Sequence, residues 1–333
     1  MKVLVVDDSA FMRKIISHMV NSDPDLTVVG TAFDGVNALK RISQLEPDVI
    51  TLDVNMPRMD GLATLKEIMK TNPMPVVMVS ATTQEGAETT FQALRLGAVE
   101  YIAKPSGDIS LDIGKVRDEL VEKIKTAAQA RIVTHEDGVC SPVQIKSGIQ
   151  EKIIAIGAST GGPPAVEEIL VNLPENTPPI LIVQHMPVGF TESFAKRLDR
   201  ICSFDVKEAE EGDAIQEGLA LIAPGGQHMM VTETGRIRLS DGPPEHSVRP
   251  AVDPMMRTVA EVYGSETIGV ILTGMGRDGS SGLKAIRDKG GKTIAQNEET
   301  CTVYGMPKAA IEDGNVDRVL PLYRIPHQIM KWC

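Results

Sequence analysis

Short apolar runs alternate with segments of helical period over the first part of the chain. The runs are rich in β-branched residues, as buried strands are. Between two of them, Leu62, Leu65 and Ile68 recur at the i, i+3 spacing of one helix face. This alternation predicts a parallel α/β sheet with about five helices. The predicted strands are Val3–Val6, Thr27–Gly30, Val49–Leu52, Val76–Val79 and Tyr101–Ile102.

The same pattern returns after residue 152. Buried parallel strands are predicted at Ile153–Ile156, Ile180–Val183 and Ile268–Thr273, each leading into a turn that contains Gly or His. Helices are predicted at Pro163–Val171, Val252–Tyr263, Ser281–Lys289 and Pro307–Glu312. Antiparallel hairpins are predicted from Leu219–Ala223, Met229–Thr232 and Arg236–Leu239, which intervening Gly and Pro residues separate. We therefore expect a doubly wound, mainly parallel α/β domain with a short hairpin region.

The length of 333 residues favours two domains. Residues from about 126 to 150 mix Gly, Ser, Pro and charged residues without sustained periodicity, which is typical of a linker. We predict one domain over residues 1–122, a linker over 123–150 and a second domain over 151–333.

Charge and composition exclude some functions. A net charge of −11 and only 3% aromatic residues argue against binding to nucleic acid. The four cysteines show no CxxC spacing, so they predict neither a zinc site nor a disulfide framework. The apolar run Val3–Val6 ends at Asp7, which is too short for a leader or a membrane span. We expect a cytoplasmic protein without membrane insertion.

Charged residues follow three strands of the first predicted sheet. Asp7 and Asp8 come after the first strand, Asp53 after the third and Lys104 after the fifth. The carboxyl ends of parallel strands meet at one edge, where ligands of open α/β sheets bind. Converging carboxylates repel one another unless a cation intervenes, and their hard oxygens suit Mg²⁺. Asp53 then becomes a candidate nucleophile toward phosphorus, although a lone Asp-Asp pair also serves as a helix cap.

The ordered set of these residues with Ser80 resembles the bacterial response-regulator receiver domain, a flavodoxin-like fold of five parallel strands. The resemblance covers residues 1 to about 122. It implies that Asp53 accepts a phosphoryl group, that Asp7 and Asp8 hold Mg²⁺ with it, and that Ser80 and Lys104 contact the phosphoryl oxygens. Tyr101 matches the aromatic switch position. Without the resemblance, Tyr101 is equally well explained as a core aromatic residue.

A glycine-rich segment, Gly157–Gly162, directly follows the predicted strand Ile153–Ile156. It fits G-x-S-x-G, which exposes a serine on a tight turn between a strand and a helix. A dinucleotide fingerprint is disfavoured, because Ser159 stands where that pattern needs its second glycine. A third interpretation, in which Ser159 only caps the next helix, stays open.

A serine nucleophile needs a base, and position separates the six histidines. His185 follows the strand Ile180–Val183 at the expected active edge and is the first choice. His228 and His246 are weaker candidates, since neither follows an obvious parallel strand. The others lie in the first domain, the linker or near the C-terminus: His18, His135 and His327.

The acid of a triad orients the imidazole and stabilises its protonated form. Asp278 qualifies, since it lies in the loop Thr273–Gly279 after the strand Ile268–Leu272, where flanking glycines permit close backbone approach. Its alternative role is an N-cap for the helix near Ser281.

Together, these three segments resemble the catalytic domain of the chemotaxis protein-glutamate methylesterase family, the CheB type, over residues 152 to about 330. The resemblance implies Ser159 as nucleophile, His185 as general base and Asp278 as orienting acid. It also implies an oxyanion donor in the backbone N–H of Met275 and an auxiliary role for Thr160.

The resemblance implies phosphorylation-activated hydrolysis of glutamate γ-methyl esters on chemoreceptors, with release of methanol and deamidation of receptor glutamines. It implies Mg²⁺ for receiver phosphorylation, no cofactor for hydrolysis, and a chemotaxis histidine kinase as phosphoryl donor. The alternative from another class is a response regulator whose output domain binds a partner without chemistry.

Overall fold

The computed structural model describes residues 1–80, 84–104, 113–132 and 152–333. The chain divides into two compact units, residues 1–136 and 137–333. A helix at Ile113–Gln129 continues past residue 122, the predicted end of the first domain. Much of the predicted linker lies outside the described residues, so its bounds stay a prediction.

The first unit contains a five-stranded parallel sheet in the order β2-β1-β3-β4-β5. This order confirms the expected flavodoxin-like fold. The chain adds strands on one side of β1 and then on the other, and ligands of such sheets bind at this switch point between β1 and β3. Ile16, Met19, Leu120 and Ile124 pack with apolar strand residues in one buried cluster. The strands are β1 Lys2–Val6, β2 Thr27–Ala32, β3 Val49–Asp53, β4 Val76–Ser80 and β5 Glu100–Ala103, and the helices are α1 Ala10–Asn21, α2 Gly35–Leu45, α3 Gly61–Thr71, α4 Gln84–Arg95 and α5 Ile113–Gln129.

The second unit contains a seven-stranded parallel sheet in the order β14-β13-β12-β6-β7-β9-β8, and a separate antiparallel pair, β10-β11. The strands are β6 Ile153–Ala158, β7 Ile180–Gln184, β8 Asp205–Glu208, β9 Leu219–Ile222, β10 His228–Val231, β11 Ile237–Ser240, β12 Thr267–Ile271, β13 Lys292–Gln296 and β14 Arg318–Leu320. The helices are α6 Gly162–Val171, α7 Phe190–Asp199, α8 Val252–Tyr263, α9 Ser280–Asp288, α10 Met306–Glu312 and α11 Ile325–Trp332. The expected doubly wound sheet and antiparallel pair are confirmed.

One predicted hairpin segment was wrong. The segment at Leu219–Ala223 forms β9, which pairs in parallel with β7 and β8. Ala220, Leu221 and Ile222 are all buried, as in a strand covered on both faces. The antiparallel pair therefore comes from the two later segments alone.

Among the described residues, no helix has the length and apolar character needed to cross a membrane. The predicted α6 and α10 are confirmed, with a proline in the first turn of each. Proline is tolerated there because the first helical N–H groups have no partner within the helix.

Candidate functional site

Three carboxylates converge at the carboxyl edge of the first sheet. Val6 of β1 pairs with Leu52 of β3, so the residues that follow, Asp7 and Asp53, are neighbours. Oxygen atoms of these two side chains and of Asp8 all lie within 4.8 Å of one another. Asp7 and Asp53 are buried, whereas Asp8 is exposed. The predicted acidic cluster is thus assembled.

Lys104 partly balances the charge of this cluster. Its Nζ lies 3.2 Å from Asp7 Oδ2 and 2.8 Å from Asp53 Oδ2. Burial raises the pKa of Asp53 against the lowering effect of Lys104, and the charge of Asp7 raises this pKa further. Burial acts to lower the pKa of Lys104, but its contacts with Asp53 and Asp7 leave that pKa raised. Three carboxylates against one ammonium leave surplus negative charge on hard oxygens, and such a donor set fits Mg²⁺.

Ser80 and Tyr101 lie on the neighbouring strands β4 and β5. Ser80 is buried at the end of β4, and its Oγ donates to the carbonyl of Gly86 at 3.0 Å. The Tyr101 side chain is buried, with the Lys123 ammonium 4.9 Å from its ring centroid. Burial raises the pKa of Tyr101 well above its ordinary value. This position is compatible with a core aromatic residue and with a switch residue.

Ser159 lies in the turn between β6 and α6, at the carboxyl edge of the second sheet. Its N–H donates to the Thr273 carbonyl at 3.0 Å, and its carbonyl accepts from Gly162 at 2.7 Å and from Gln184 Nε2 at 2.9 Å. The helix N-cap is Gly161, with a φ of +75°, and no side chain caps the helix. The interpretation of Ser159 as a helix cap is therefore wrong.

The glycines after Ser159 are required by close packing. A Cβ on Gly161 would lie 2.4 Å from the Thr302 side chain, and one on Gly162 would lie 2.0 Å from Gln184 Oε1. Real Cβ atoms do not approach other atoms so closely, so the turn needs both glycines.

His185 lies beside the serine because of the strand register. Ala158 of β6 pairs with Gln184 of β7, and the His185 N–H donates to the Ala158 carbonyl at 3.1 Å. The imidazole is largely buried, and its Nε2 donates to Asp278 Oδ2 at 2.9 Å. The Nδ1 atom is thereby the ring nitrogen left for a base.

The Asp278 carboxylate is 2% exposed and lies at the N-terminus of α8. Oδ2 accepts from the Val252 N–H at 2.6 Å, and Oδ1 accepts from the Asp253 N–H at 3.0 Å. Burial acts to raise the pKa of Asp278, but the hydrogen bond and charge of His185 and the two backbone donors leave it below its ordinary value. Asp278 therefore stays ionised beside the imidazole.

The expected alternative for Asp278, an N-cap for the helix near Ser281, was wrong. The carboxylate of Asp253 binds the N-terminus of that helix, α9, instead. Asp253 Oδ1 accepts from the N–H groups of Gly279 at 3.0 Å and Gly282 at 2.6 Å. Asp253 and Asp278 thus form a reciprocal pair: Asp278 binds the N-terminus of α8, which contains Asp253, and Asp253 binds the N-terminus of α9, which begins just after Asp278. Negative charge is stabilised at a helix N-terminus.

Thr160 follows the serine directly along the chain, and Met275 lies in a separate loop that approaches it. Met275 is 47% exposed in the loop after β12, next to Gly274. A Cβ on Gly274 would lie 2.7 Å from the Ser159 Cβ, which shows how closely this loop approaches the turn. Thr160 is buried, and its carbonyl accepts from Thr273 Oγ1 at 2.9 Å.

The remaining histidines have other surroundings. His228 is buried with Nε2 3.0 Å from the Pro243 carbonyl and Nδ1 3.2 Å from the Ala251 N–H. His246 Nε2 lies 2.8 Å from Asp253 Oδ2 and 3.8 Å from Asp278 Oδ1. Sequence reasoning missed Asp253 and gave His246 only as a weaker candidate for the base, because no local signal links residues that come from separate segments of the chain. His18 lies in α1, His327 is exposed in α11, and His135 is outside the described residues.

Two family models match the chain. The response regulator receiver domain matches residues 3–112, and the CheB methylesterase matches residues 154–329. A Pyrococcus abyssi relative is 51% identical over 99% of this chain and 93% of its own length. A Salmonella typhimurium relative is 46% identical over 99% of this chain and 96% of its own length. Both relatives are named protein-glutamate methylesterase/protein-glutamine glutaminase.

A solved structure also resembles the second unit. The catalytic domain of the Thermotoga maritima CheB methylesterase is 46% identical, and the match covers 56% of this chain and all of that domain, with a TM-score of 0.54.

Proposed function

The chain belongs to the CheB methylesterase family and carries a response-regulator receiver domain, and from this premise we propose that it hydrolyses glutamate γ-methyl esters on chemoreceptors under receiver control. The observation that carries the proposal is the pair of His185 and Asp278 at the sheet edge, with Ser159 one residue beyond the register pair of Ala158 and Gln184. The pair supplies an oriented imidazole next to a serine on a tight turn.

In the proposed reaction, His185 Nδ1 takes the proton of Ser159 Oγ as this oxygen bonds to the ester γ-carbonyl carbon. The backbone N–H of Met275 donates to the developing oxyanion, and Asp278 stabilises the imidazolium through Nε2. The bond from the carbonyl carbon to the methoxy oxygen then breaks, and His185 returns its proton to form methanol. Water hydrolyses the acyl-enzyme by the same route. Thr160 has an auxiliary role beside the serine.

The same steps apply to a glutamine side chain. Attack on the amide carbonyl gives the same acyl-enzyme, with ammonia in place of methanol as the leaving group. We include this deamidation in the proposal because the relatives named above are also called glutaminases.

For control, we propose that Asp53 accepts a phosphoryl group from a chemotaxis histidine kinase. Asp7, Asp8 and Asp53 would hold Mg²⁺, whose charge neutralises phosphoryl oxygens when it is bound. Lys104 and Ser80 would contact those oxygens, and Tyr101 would respond to the change. Phosphorylation adds about −1.5 to −2 charges at a buried edge, enough to bias a two-state element. The proposed setting is chemotactic adaptation in the cytoplasm.

The test is methanol release from methylated receptor by the full chain. Ser159→Ala should lower turnover by about 10³-fold or more, since a triad without its nucleophile keeps only residual catalysis. Ser265→Ala is the matched control, because Ser265 is exposed and bonds locally to Glu266. Retained turnover in Ser159→Ala would remove the proposed nucleophile. No turnover in the unchanged chain would favour a non-catalytic output domain.

A further inference from the structure

A second histidine lies on the far side of the Asp278 carboxylate. His185 Nε2 contacts Asp278 Oδ2 at 2.9 Å, whereas His246 Nε2 lies 3.8 Å from the other oxygen, Oδ1. His246 Nε2 also donates to Asp253 Oδ2 at 2.8 Å. The order His246, Asp253, Asp278, His185 therefore forms one connected polar row that ends at the proposed base.

We propose that His246 is a positioning residue for the hydrolytic reaction: its imidazole keeps Asp253 ionised and in place, and Asp253 in turn keeps Asp278 directed at His185. The inference rests on the proposed function, since it concerns the same base. It assigns no contact with substrate to His246.

The reciprocal carboxylate pair creates the need for such a group. Asp253 and Asp278 are each 2% exposed, and an oxygen of one lies within 4.8 Å of an oxygen of the other. Two buried carboxylates at this distance repel one another. Burial raises the pKa of Asp253, the charge of Asp278 raises it further, and the hydrogen bond from His246 lowers it. Without His246, Asp253 takes up a proton at a higher pH. A proton on Asp253 reduces the negative charge of the pair and changes the contacts that keep Asp278 directed at His185.

The backbone supports a specific role for this position. His246 has a φ of 52° and Ser247 a φ of 65°, in the left-handed region that non-glycine residues rarely adopt. Such conformations persist where surrounding contacts determine them, and functional sites are enriched in them. The His246 side chain is 35% exposed, and its Nε2 faces the two acids.

The other charged groups near His246 have their own partners. The Glu245 carboxylate, in the same loop, accepts hydrogen bonds from the Arg257 guanidinium of α8 at 2.7 and 2.9 Å. Arg249 donates to the carbonyls of Asp241 and Gly242, each at 2.7 Å. Asp253 and Asp278 are the acids that His246 contacts directly, with His185 beyond them.

The experiment measures kcat/KM for methyl ester hydrolysis from about pH 5 to about pH 9 in the full chain with acetyl phosphate and Mg²⁺. His246→Asn removes the imidazole that contacts Asp253 and replaces it with a residue that tolerates positive φ. We expect the acid limb of its profile to move up by about one pH unit, which is about a tenfold loss on the acid side, with little change at the alkaline plateau. His327→Asn, at an exposed histidine of α11, is the control and should match the unchanged chain.

A double variant tests the route through Asp253. In an Asp253→Asn background, His246→Asn should cause no additional shift, since the acid on which His246 acts is gone. If His246→Asn unfolds, His246→Gly offers the same test, because glycine adopts this φ freely. A His246→Asn profile with unchanged shape, displaced only vertically, would overturn the inference and indicate a structural role.

The two proposals fail differently. If the unchanged chain releases methanol and Ser159→Ala does not, a profile of unchanged shape in His246→Asn refutes the positioning role alone. If the unchanged chain releases no methanol, the proposed function fails and the role of His246 falls with it.

Discussion

The two units place carboxylates at the same kind of sheet edge but treat them in opposite ways. In the first unit, Asp53 is buried beside Asp7, and its pKa is raised even with Lys104 at 2.8 Å. In the second unit, Asp278 is also buried, yet its pKa is lowered by His185 and two backbone N–H donors. One carboxylate is left under-compensated and the other is fully satisfied.

This difference matches the two proposed roles. An under-compensated acid responds strongly when a cation binds or a phosphoryl group is added, which suits a switch. A satisfied carboxylate holds its charge and direction throughout a reaction, which suits preorganised catalysis. The same edge of a parallel sheet thus supports either role, and the number of hydrogen-bond donors around the carboxylate separates them.

Removing the charge of Asp278 should have the largest effect on the hydrolytic reaction. We expect Asp278→Asn to lower kcat for methanol release by about 10³ to 10⁴-fold, because a neutral partner no longer stabilises the protonated imidazole. Asp253→Asn, which keeps Asp278 charged, should cost far less. Comparable losses in the two variants would contradict the assignment of Asp278 as the orienting acid.

The close approach of Gly274 to Ser159 gives the next largest effect. In Gly274→Ala, the new Cβ would lie 2.7 Å from the Ser159 Cβ and 2.3 Å from Met306 Sδ, so the turn must move. Displacement of this order costs about 10²-fold in kcat. Gly114→Ala is the control, since Gly114 has no positive φ and a Cβ there would meet nothing within 4 Å. Equal kcat values for the two variants would show that the serine turn tolerates displacement.

Lys104 tests the proposed switch in the first unit. Lys104→Met should reduce the ratio of stimulated to basal methanol release to about one, because no ammonium remains to contact the phosphoryl group. Basal release should stay unchanged. The measurement is made with and without acetyl phosphate plus Mg²⁺, and undiminished stimulation would exclude the proposed contact.

The smallest effect concerns stability. A carboxyl whose pKa is raised on folding costs stability above that pKa, and the cost disappears as the pH falls below it. Asp53→Asn should therefore raise the melting temperature of the chain in EDTA by about 2–5 °C at neutral pH, with the gain fading toward acid pH. A lower melting temperature at neutral pH would show that Asp53 is satisfied by Lys104 after all.

Local sequence pattern predicted the elements that are apolar along their whole length. β6, β7 and β12 were found because buried parallel strands form continuous apolar runs, and the glycine turn after β6 identified Ser159. β13 at Lys292–Gln296 was missed because polar residues make up most of it, although four of its five residues are buried. β8 at Asp205–Glu208 and β14 at Arg318–Leu320 were missed as well, since charged residues dominate the first and the second is short and largely exposed. Such edge strands lack the signal of burial.

The acids were predicted less completely than the serine and the base. Asp278 follows a strand and was found, whereas Asp253 lies in the first turn of α8 and resembles an ordinary helix-terminal acid. Its partnership with Gly279, Gly282 and His246 depends on how separate loops pack. No spacing along the chain encodes that packing.

We propose above that phosphorylation of Asp53 controls hydrolysis by Ser159, and this control can be measured as methanol release from methylated receptor. The unchanged chain and Asp53→Asn are each assayed with and without acetyl phosphate and Mg²⁺. We expect the phosphoryl donor to increase release by the unchanged chain and to have no effect on Asp53→Asn, which keeps its basal rate. Equal stimulation of both proteins, or none of either, would show that phosphorylation of Asp53 does not control hydrolysis.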